Sequence, residues 1–165
     1  MTRDKVRILF ELDPNDWHGG GSESMWAEPL FYNDRLVFKI NNSPFCAREV
    51  SFGDIVAASP TKNRSVYEFA EVIKRSGHST FVLLVKPGDV RVSSYWQPME
   101  DAGCTYESGN EKWSGEIWTV YSVDVPPTTD LALVFKALEK GLEDGIWLVQ
   151  EGYVHDAHRT LPPSA

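Results

Sequence analysis

The sequence predicts an α+β protein in which a small β-barrel or curled antiparallel sheet is followed by a ferredoxin-like β-α-β-β-α-β unit. In the first half, short alternating apolar runs are separated by turn residues. In the second half, apolar runs are interleaved with two helical patterns. The chain has 165 residues, of which 42% are apolar and 12% aromatic, so a packed core is within reach. We expect a β-rich half at 1–78, a ferredoxin-like half at 79–154 and a flexible tail at 155–165.

The sequence predicts a series of strands in the first half. Residues 5–12, "KVRILFEL", alternate polar and apolar side chains, which is typical of a half-buried strand, and the loop "DPNDWHGGGSES" follows. The runs "SMWAEPLFY" and "RLVFKIN" flank Asn33 and Asp34, residues that tolerate the positive φ of a tight hairpin turn. A short strand is expected at 54–58. The run "SVYEFAEVIKR" also has a helical stripe, but we interpret it as a long strand.

The second half opens with the buried strand "TFVLLVK" and a helix within 89–103. Pro98 should kink that helix or mark the first turn of a shorter one, and Gly103 should end it. We then expect "CTYES" to form a short edge strand, "GNEKWSG" a loop and "EIWTVYSVDV" a strand. A second helix, capped by Thr128 or Thr129, should follow, and "IWLVQEGYV" should close the sheet.

Charge and hydropathy narrow the classes of partner. The formal net charge is −8, which disfavours binding to nucleic acid or to an anionic membrane and suits a basic protein partner. No apolar run approaches the roughly 20 residues of a membrane helix, and the first residues have no signal-peptide core. The sequence therefore predicts a cytoplasmic protein.

The metal-ligating and thiol residues do not form a recognisable site. Cys46 and Cys104 belong to no CxxC pair, so we expect neither a disulfide nor a zinc site, and neither thiol to be catalytic. His155 and His158 would share a metal only if the tail were helical. We expect no cofactor and no bound metal.

The segment "RSGHST" at 75–80 is the densest group of chemically able residues. As a turn, it would use Gly77 for positive φ and its hydroxyls for local hydrogen bonds. As a site, Arg75, His78 and the backbone could hold an anion. The sequence contains the residue types of a catalytic triad, Ser79 or Cys46 with His78 and Asp54. A triad is recognised by the geometry of its side chains, however, and not by the presence of these residue types.

Six tryptophans are many for this length. Trp118 and Trp147 lie in predicted core strands, whereas Trp17 and Trp113 lie in predicted polar loops, where a large ring suggests a partner. The face of Trp26 on its strand cannot be assigned. The candidate partner-binding residues are Trp17, His18, Trp26, Arg75, His78 and Trp113.

Four blocks occur in a characteristic order: "WAEPL", "NNSPFCAREVSFGDIV", "RSGHST" and "VDVPPTTDL". In this order the chain resembles, over roughly residues 5–154, a family of small stand-alone bacterial proteins catalogued only as a domain of unknown function. The resemblance implies a bacterial cytoplasmic protein and carries no reaction or catalytic residue.

Two hypotheses for function follow. The first is a non-enzymatic binding protein, most concretely an acidic immunity-type inhibitor that neutralises a basic toxin or effector. The alternative is an enzyme or small-ligand-binding protein with a pocket near Arg75 and His78, at the junction of the two halves.

Overall fold

The structure is a computed structural model that describes residues 4–159. Within these residues the chain forms two β-sheets, one from residues 6–74 and one from residues 79–151. The protein is therefore α+β, with the first sheet complete before the second begins, as predicted. No helix among the described residues is long and apolar enough to cross a membrane.

The first sheet consists of β1 (Val6–Glu11), β2 (Ser22–Tyr32), β3 (Arg35–Ile40), β4 (Ile55–Pro60) and β5 (Val66–Lys74). Neighbouring strands pair antiparallel, and the sheet curls until β1 also pairs in parallel with β5. Its concave side encloses a core that includes Ile8, Met25, Phe38 and Ile40. Asn33 and Asp34 have φ of 51° and 58°, which confirms the predicted hairpin turn.

The second sheet consists of β6 (Ser79–Val85), β7 (Thr105–Trp113), β8 (Glu116–Val125) and β9 (Trp147–Glu151), in the antiparallel order β7-β8-β6-β9. Helix α1 (Val92–Asp101) connects β6 to β7, and α2 (Leu131–Glu143) connects β8 to β9. A short α3 (Asp156–Arg159) follows.

Helices α1 and α2 cover one face of this sheet. Alternate residues of β6, including Phe81 and Leu83, enter the same core cluster as Met99 of α1 and Val134 of α2. The spacing of apolar residues in α2 follows the helical period, which buries one stripe of that helix. The prediction of a sheet with two helices on one face is confirmed.

The opposite face is covered by the connecting segment 41–54, which joins β3 to β4. Ser122 on β8 donates to the Ser43 hydroxyl at 2.8 Å, and the hydroxyls of Ser51 and Thr80 lie 2.8 Å apart. All four residues are buried. Because buried hydroxyls need partners, these pairs hold the segment against the second sheet and so join the two halves.

The structure corrects two details of the second half and decides between two alternatives for a third. Strand β7 runs unbroken over Thr105–Trp113, where a short strand and a loop were expected, because a two-residue turn at Ser114 and Gly115 suffices to pair it with β8 along its length. Helix α2 is capped by Asp130, which accepts from the Ala132 N–H at 3.0 Å. Neither predicted threonine caps it, because a carboxylate at the residue before the helix reaches the free N–H groups. Of the two positions predicted for Pro98, the structure has the first, inside α1, and not the first turn of a shorter helix.

Part of the predicted tail is ordered into the fold. Residues 156–159 form α3, and His158 is 4% exposed, because Ser79 gives its ring a buried hydrogen-bond partner. The remainder of the tail, 160–165, lies outside the described residues.

Candidate functional site

The segment "RSGHST" links the two sheets as a tight turn between β5 and β6. Gly77 has φ of +92°, in the left-handed region that favours glycine, as predicted. The Ser76 hydroxyl donates to the Phe52 carbonyl at 2.6 Å, and the Ser76 N–H donates to the Asp54 carboxylate at 2.8 Å. These bonds attach the turn to the connecting segment, so its first role is architectural.

Arg75 pairs with a buried carboxylate. Its Nη1 lies 3.1 Å from Oδ2 of Asp54, which is fully buried, and its guanidinium stacks 3.8 Å from the ring centre of Tyr153. Asp54 also accepts from the Ser51 N–H at 3.0 Å. A buried carboxylate needs hydrogen-bond donors, and the Arg75 guanidinium supplies one of them. The side chain of Arg75 is therefore engaged within the fold and only 31% exposed.

His78 pairs with a different carboxylate. Its Nδ1 lies 2.7 Å from Oδ1 of Asp124, a residue of β8 that is 8% exposed. Burial raises the pKa of the Asp124 carboxyl above its ordinary value, and the charge of a protonated His78 opposes that rise. The pair is partly buried and lies next to Phe52, whose ring centre is 5.4 Å from that of His78.

Ser79 is fully buried. Its hydroxyl does not bond to His78 and does not face a groove on the surface. Its hydroxyl lies 2.6 Å from Nδ1 of His158 and accepts from the His155 N–H at 2.8 Å. Burial lowers the pKa of His158 below its ordinary value, so the neutral ring is favoured. The triad written from the sequence is not assembled, because His78, Ser79 and Asp54 each have a separate partner.

A cleft of about 210 Å³ opens between the two halves beside the His78–Asp124 pair. It is lined by residues of the connecting segment (Asn41, Asn42, Ser43 and Phe52) and of β7 and β8 (Thr105, Tyr106, Glu107, Ser122 and Asp124). Two of these side chains are carboxylates, and among the described residues no lysine or arginine lines the cleft. We name this feature the junction cleft. Its charge and hydrogen-bond acceptors suit a cationic group.

The junction cleft is fixed by contacts between the halves. The Glu107 carboxylate on β7 accepts a short hydrogen bond from the backbone N–H of Ser43 on the connecting segment. Thr105 and Glu107 lie opposite Asp124 and Ser122 in the β7–β8 ladder, so all four are held on one face of the sheet. A rigid sheet thus positions both carboxylates.

The other predicted partner-binding residues do not line the cleft, although the Trp26 backbone bonds to the Asn41 N–H and to the Asn42 side chain, which do. His18 accepts from the Gly20 N–H at 2.9 Å and its side chain is 2% exposed, with Trp17 edge-on against it. Trp26 is 46% exposed beneath the guanidinium of Arg7. Of these residues, the fold brings Trp17 and His18 into contact and leaves Trp26 exposed.

Trp113 lies in β7 rather than in a loop, and it packs against Trp118 with ring centres 5.7 Å apart. Trp118 was expected in the core, but it is only half-buried, and Lys86 Nζ lies 4.6 Å from the centre of its ring. Trp147 is buried as predicted.

Sequence reasoning missed Asp124 and Glu107. A signal for Asp124 was present, since a carboxylate interrupts the otherwise apolar end of "YSVDV". Glu107 gave no signal, because an acidic residue on a strand is ordinarily solvated.

The two cysteines differ in burial: Cys46 is partly buried and Cys104 is buried. Cys46 and Cys104 are both free, and burial raises the pKa of each to about 12. Among the described residues, no three His, Cys, Asp or Glu side chains are grouped to hold a metal ion.

The chain belongs to the family described as a domain of unknown function (DUF4265), whose model matches residues 23–149. It is also similar to a solved structure described as the novel crystal structure of a hypothetical protein from Neisseria gonorrhoeae, with a TM-score of 0.62 and 18% identity over 94% of this chain and 97% of that one. At this identity the likeness shows the fold alone. Among curated proteins nothing matches.

Proposed function

We propose that this member of the DUF4265 family is a non-enzymatic binding protein that recognises a basic protein partner, most concretely as an immunity-type inhibitor of a basic toxin or effector. The observation that supports this proposal is the junction cleft, where Asp124 and Glu107 present negative charge without a lining lysine or arginine among the described residues. The net charge of −8 extends the same preference to the whole molecule.

The cleft has acceptor capacity for a partner's side chain. Asp124 uses Oδ1 for His78, and Glu107 uses Oε2 for the Ser43 N–H. The second oxygen of each carboxylate accepts no hydrogen bond from any residue of 4–159. A guanidinium group offers a fork of donors that matches such oxygens, so an arginine of the partner is the best occupant.

The arrangement of nucleophiles and bases favours binding over catalysis. Ser79 is inaccessible, and burial keeps the thiol of Cys46 protonated by raising its pKa to about 12. The His78 ring is held by Asp124, and the Ser76 hydroxyl accepts from the His78 backbone N–H, not from the ring. Electrostatic steering followed by burial of a basic side chain needs none of these groups.

A capture experiment tests the proposal. The immobilised protein is incubated with lysate of the bacterium that encodes it, and the retained proteins are identified. The test variant is Glu107→Gln with Glu111→Gln, and the matched control is Glu100→Gln with Glu143→Gln, which changes the net charge equally on the helices. Glutamine keeps an acceptor for the Ser43 N–H.

We expect wild type and control to retain the same basic proteins, with loss on the test variant and at raised salt. Retention of neutral or acidic proteins, or retention that the test variant leaves unchanged, contradicts the proposal.

A small cationic ligand is the second candidate, favoured by the His78–Asp124 pair beside the cleft. In that case the capture experiment would retain no protein. A mixture of cationic metabolites added to the protein should then raise the thermal unfolding temperature of the wild type but not that of Asp124→Asn.

We further propose that residues 79–151 form a ferredoxin-like unit and that the protein is cytoplasmic. The strand order β7-β8-β6-β9 with both helices on one face supports the first assignment. The two free cysteines support the second, since thiols persist in a reducing compartment.

A further inference from the structure

Strand β7 is a long free edge of the second sheet. It pairs with β8 over nine residues, from Thr105 to Trp113, and with no other described strand. Eight of the nine residues are exposed and Trp113 is half-buried. Proteins ordinarily protect such an edge with proline, a bulge or a covering loop, because its backbone groups are ready to pair with another chain. The described part of β7 has neither a proline nor a bulge, and of the usual protections it carries charged side chains, at Glu107, Glu111 and Lys112.

The register of the hairpin shows which backbone groups are available. Trp113 and Glu116 flank the two-residue turn, and such flanking residues exchange both backbone hydrogen bonds. Because bonded and non-bonded pairs alternate in an antiparallel ladder, the odd-numbered residues of β7 bond to β8. The N–H and C=O groups of Tyr106, Ser108, Asn110 and Lys112 therefore point away from the sheet.

The side chains beside this edge are acidic on one face. Glu107 and Glu111 point to the face that carries the junction cleft, and they are separated by about 13 Å along the strand. Thr105 and Glu107 themselves line the cleft. An added strand would thus place every second side chain beside the cleft and its carboxylates.

The charges disfavour a second copy of this chain as the occupant. Antiparallel self-pairing centred on Gly109 would set Glu107 opposite Glu111 of the second copy, twice across the twofold axis. Like charges directly opposite destabilise a strand pair, whereas arginine or lysine at those positions stabilises it.

We propose that β7 binds an extended basic segment of a protein partner by strand addition, with basic residues four apart lying beside Glu107 and Glu111. The inference rests on the proposed function and specifies how the basic partner is held. Backbone hydrogen bonds to the even-numbered residues supply affinity, and the two carboxylates supply the preference for a basic sequence.

The test uses a fluorescent nine-residue peptide with arginines at the third and seventh positions and threonine or valine elsewhere, read by anisotropy. Asn110→Pro removes an outward N–H at a position where the ladder to β8 does not need it, and Asn110→Ala is its matched control, since both lose the side-chain bond from Thr119. Glu111→Lys tests charge, with Glu143→Lys on α2 as the equal change elsewhere. Circular dichroism melts verify that each variant is folded.

We expect Asn110→Pro and Glu111→Lys each to weaken peptide binding about tenfold or more, and both controls to stay within about twofold of wild type. A peptide with glutamate in place of arginine should not bind. Binding that is equally tight to Asn110→Pro overturns strand addition while leaving a basic-partner function standing. Failure of the arginine peptide to bind wild type also overturns strand addition, and the capture experiment then decides the proposed function separately.

Discussion

Replacing Gly77 with alanine tests whether "RSGHST" is held as a turn. A Cβ at φ of +92° strains the backbone by about 1 kcal/mol. It would also lie 3.0 Å from Cγ and 3.2 Å from Cβ of Pro127, so the proline must shift, which adds about 1 kcal/mol. The free energy of unfolding should therefore fall by about 2 kcal/mol, which lowers the melting temperature by about 6 °C for a chain of this size.

Substitutions at two other glycines separate the effect of backbone strain from the effect of the contact with Pro127. Gly88 has φ of +78° with nothing within 4 Å of a built Cβ, so Gly88→Ala should show backbone strain alone, about 1 kcal/mol. Gly21 has neither a positive φ nor a close neighbour, and Gly21→Ala should be silent. Urea unfolding followed by tryptophan fluorescence measures all three. A Gly77→Ala variant as stable as Gly21→Ala would refute the reasoning.

Three further predictions concern buried groups. Ser79→Ala should lower the free energy of unfolding by about 2 kcal/mol in urea melts, because it removes the two buried hydrogen bonds that the Ser79 hydroxyl makes, to the His155 N–H and to the His158 ring. Burial lowers the pKa of His158 below 6.5, so the neutral ring stabilises the folded state fully above that pH. This part of the free energy of unfolding should be lost as the pH falls through the lowered pKa, and a His158→Gln variant should not show the loss. Cys46 and Cys104, each with a pKa of about 12, should react with iodoacetamide at pH 8 only after denaturation, and rapid labelling of the native protein would contradict this.

Local patterns predicted the strands and helices well, because the apolar residues of most elements recur at a single period, either that of a strand or that of a helix. The Asn33–Asp34 hairpin and the strand β5 follow from turn chemistry and alternation. The full length of strand β7 does not follow from local patterns, since Gly109 and Asn110 favour a loop locally and only pairing with β8 makes them extended.

The site was less predictable because it depends on contacts distant in sequence. His78 and Asp124 are 46 residues apart, and Ser43 and Glu107 are 64 apart. A sequence pattern identifies His78 as able to react, but it does not show which carboxylate meets it. The environment of Trp113 depends on tertiary structure in the same way, since its ring packs against Trp118, a contact that the loop assignment did not predict.

Amide hydrogen exchange of this protein, alone and bound to the basic protein retained in the capture experiment, tests the central claim most directly. The account predicts slowed exchange at the outward amides of β7, residues 106, 108, 110 and 112, and in the connecting segment that lines the junction cleft. Slowed exchange confined to α1 and α2, with β7 unchanged, would contradict it.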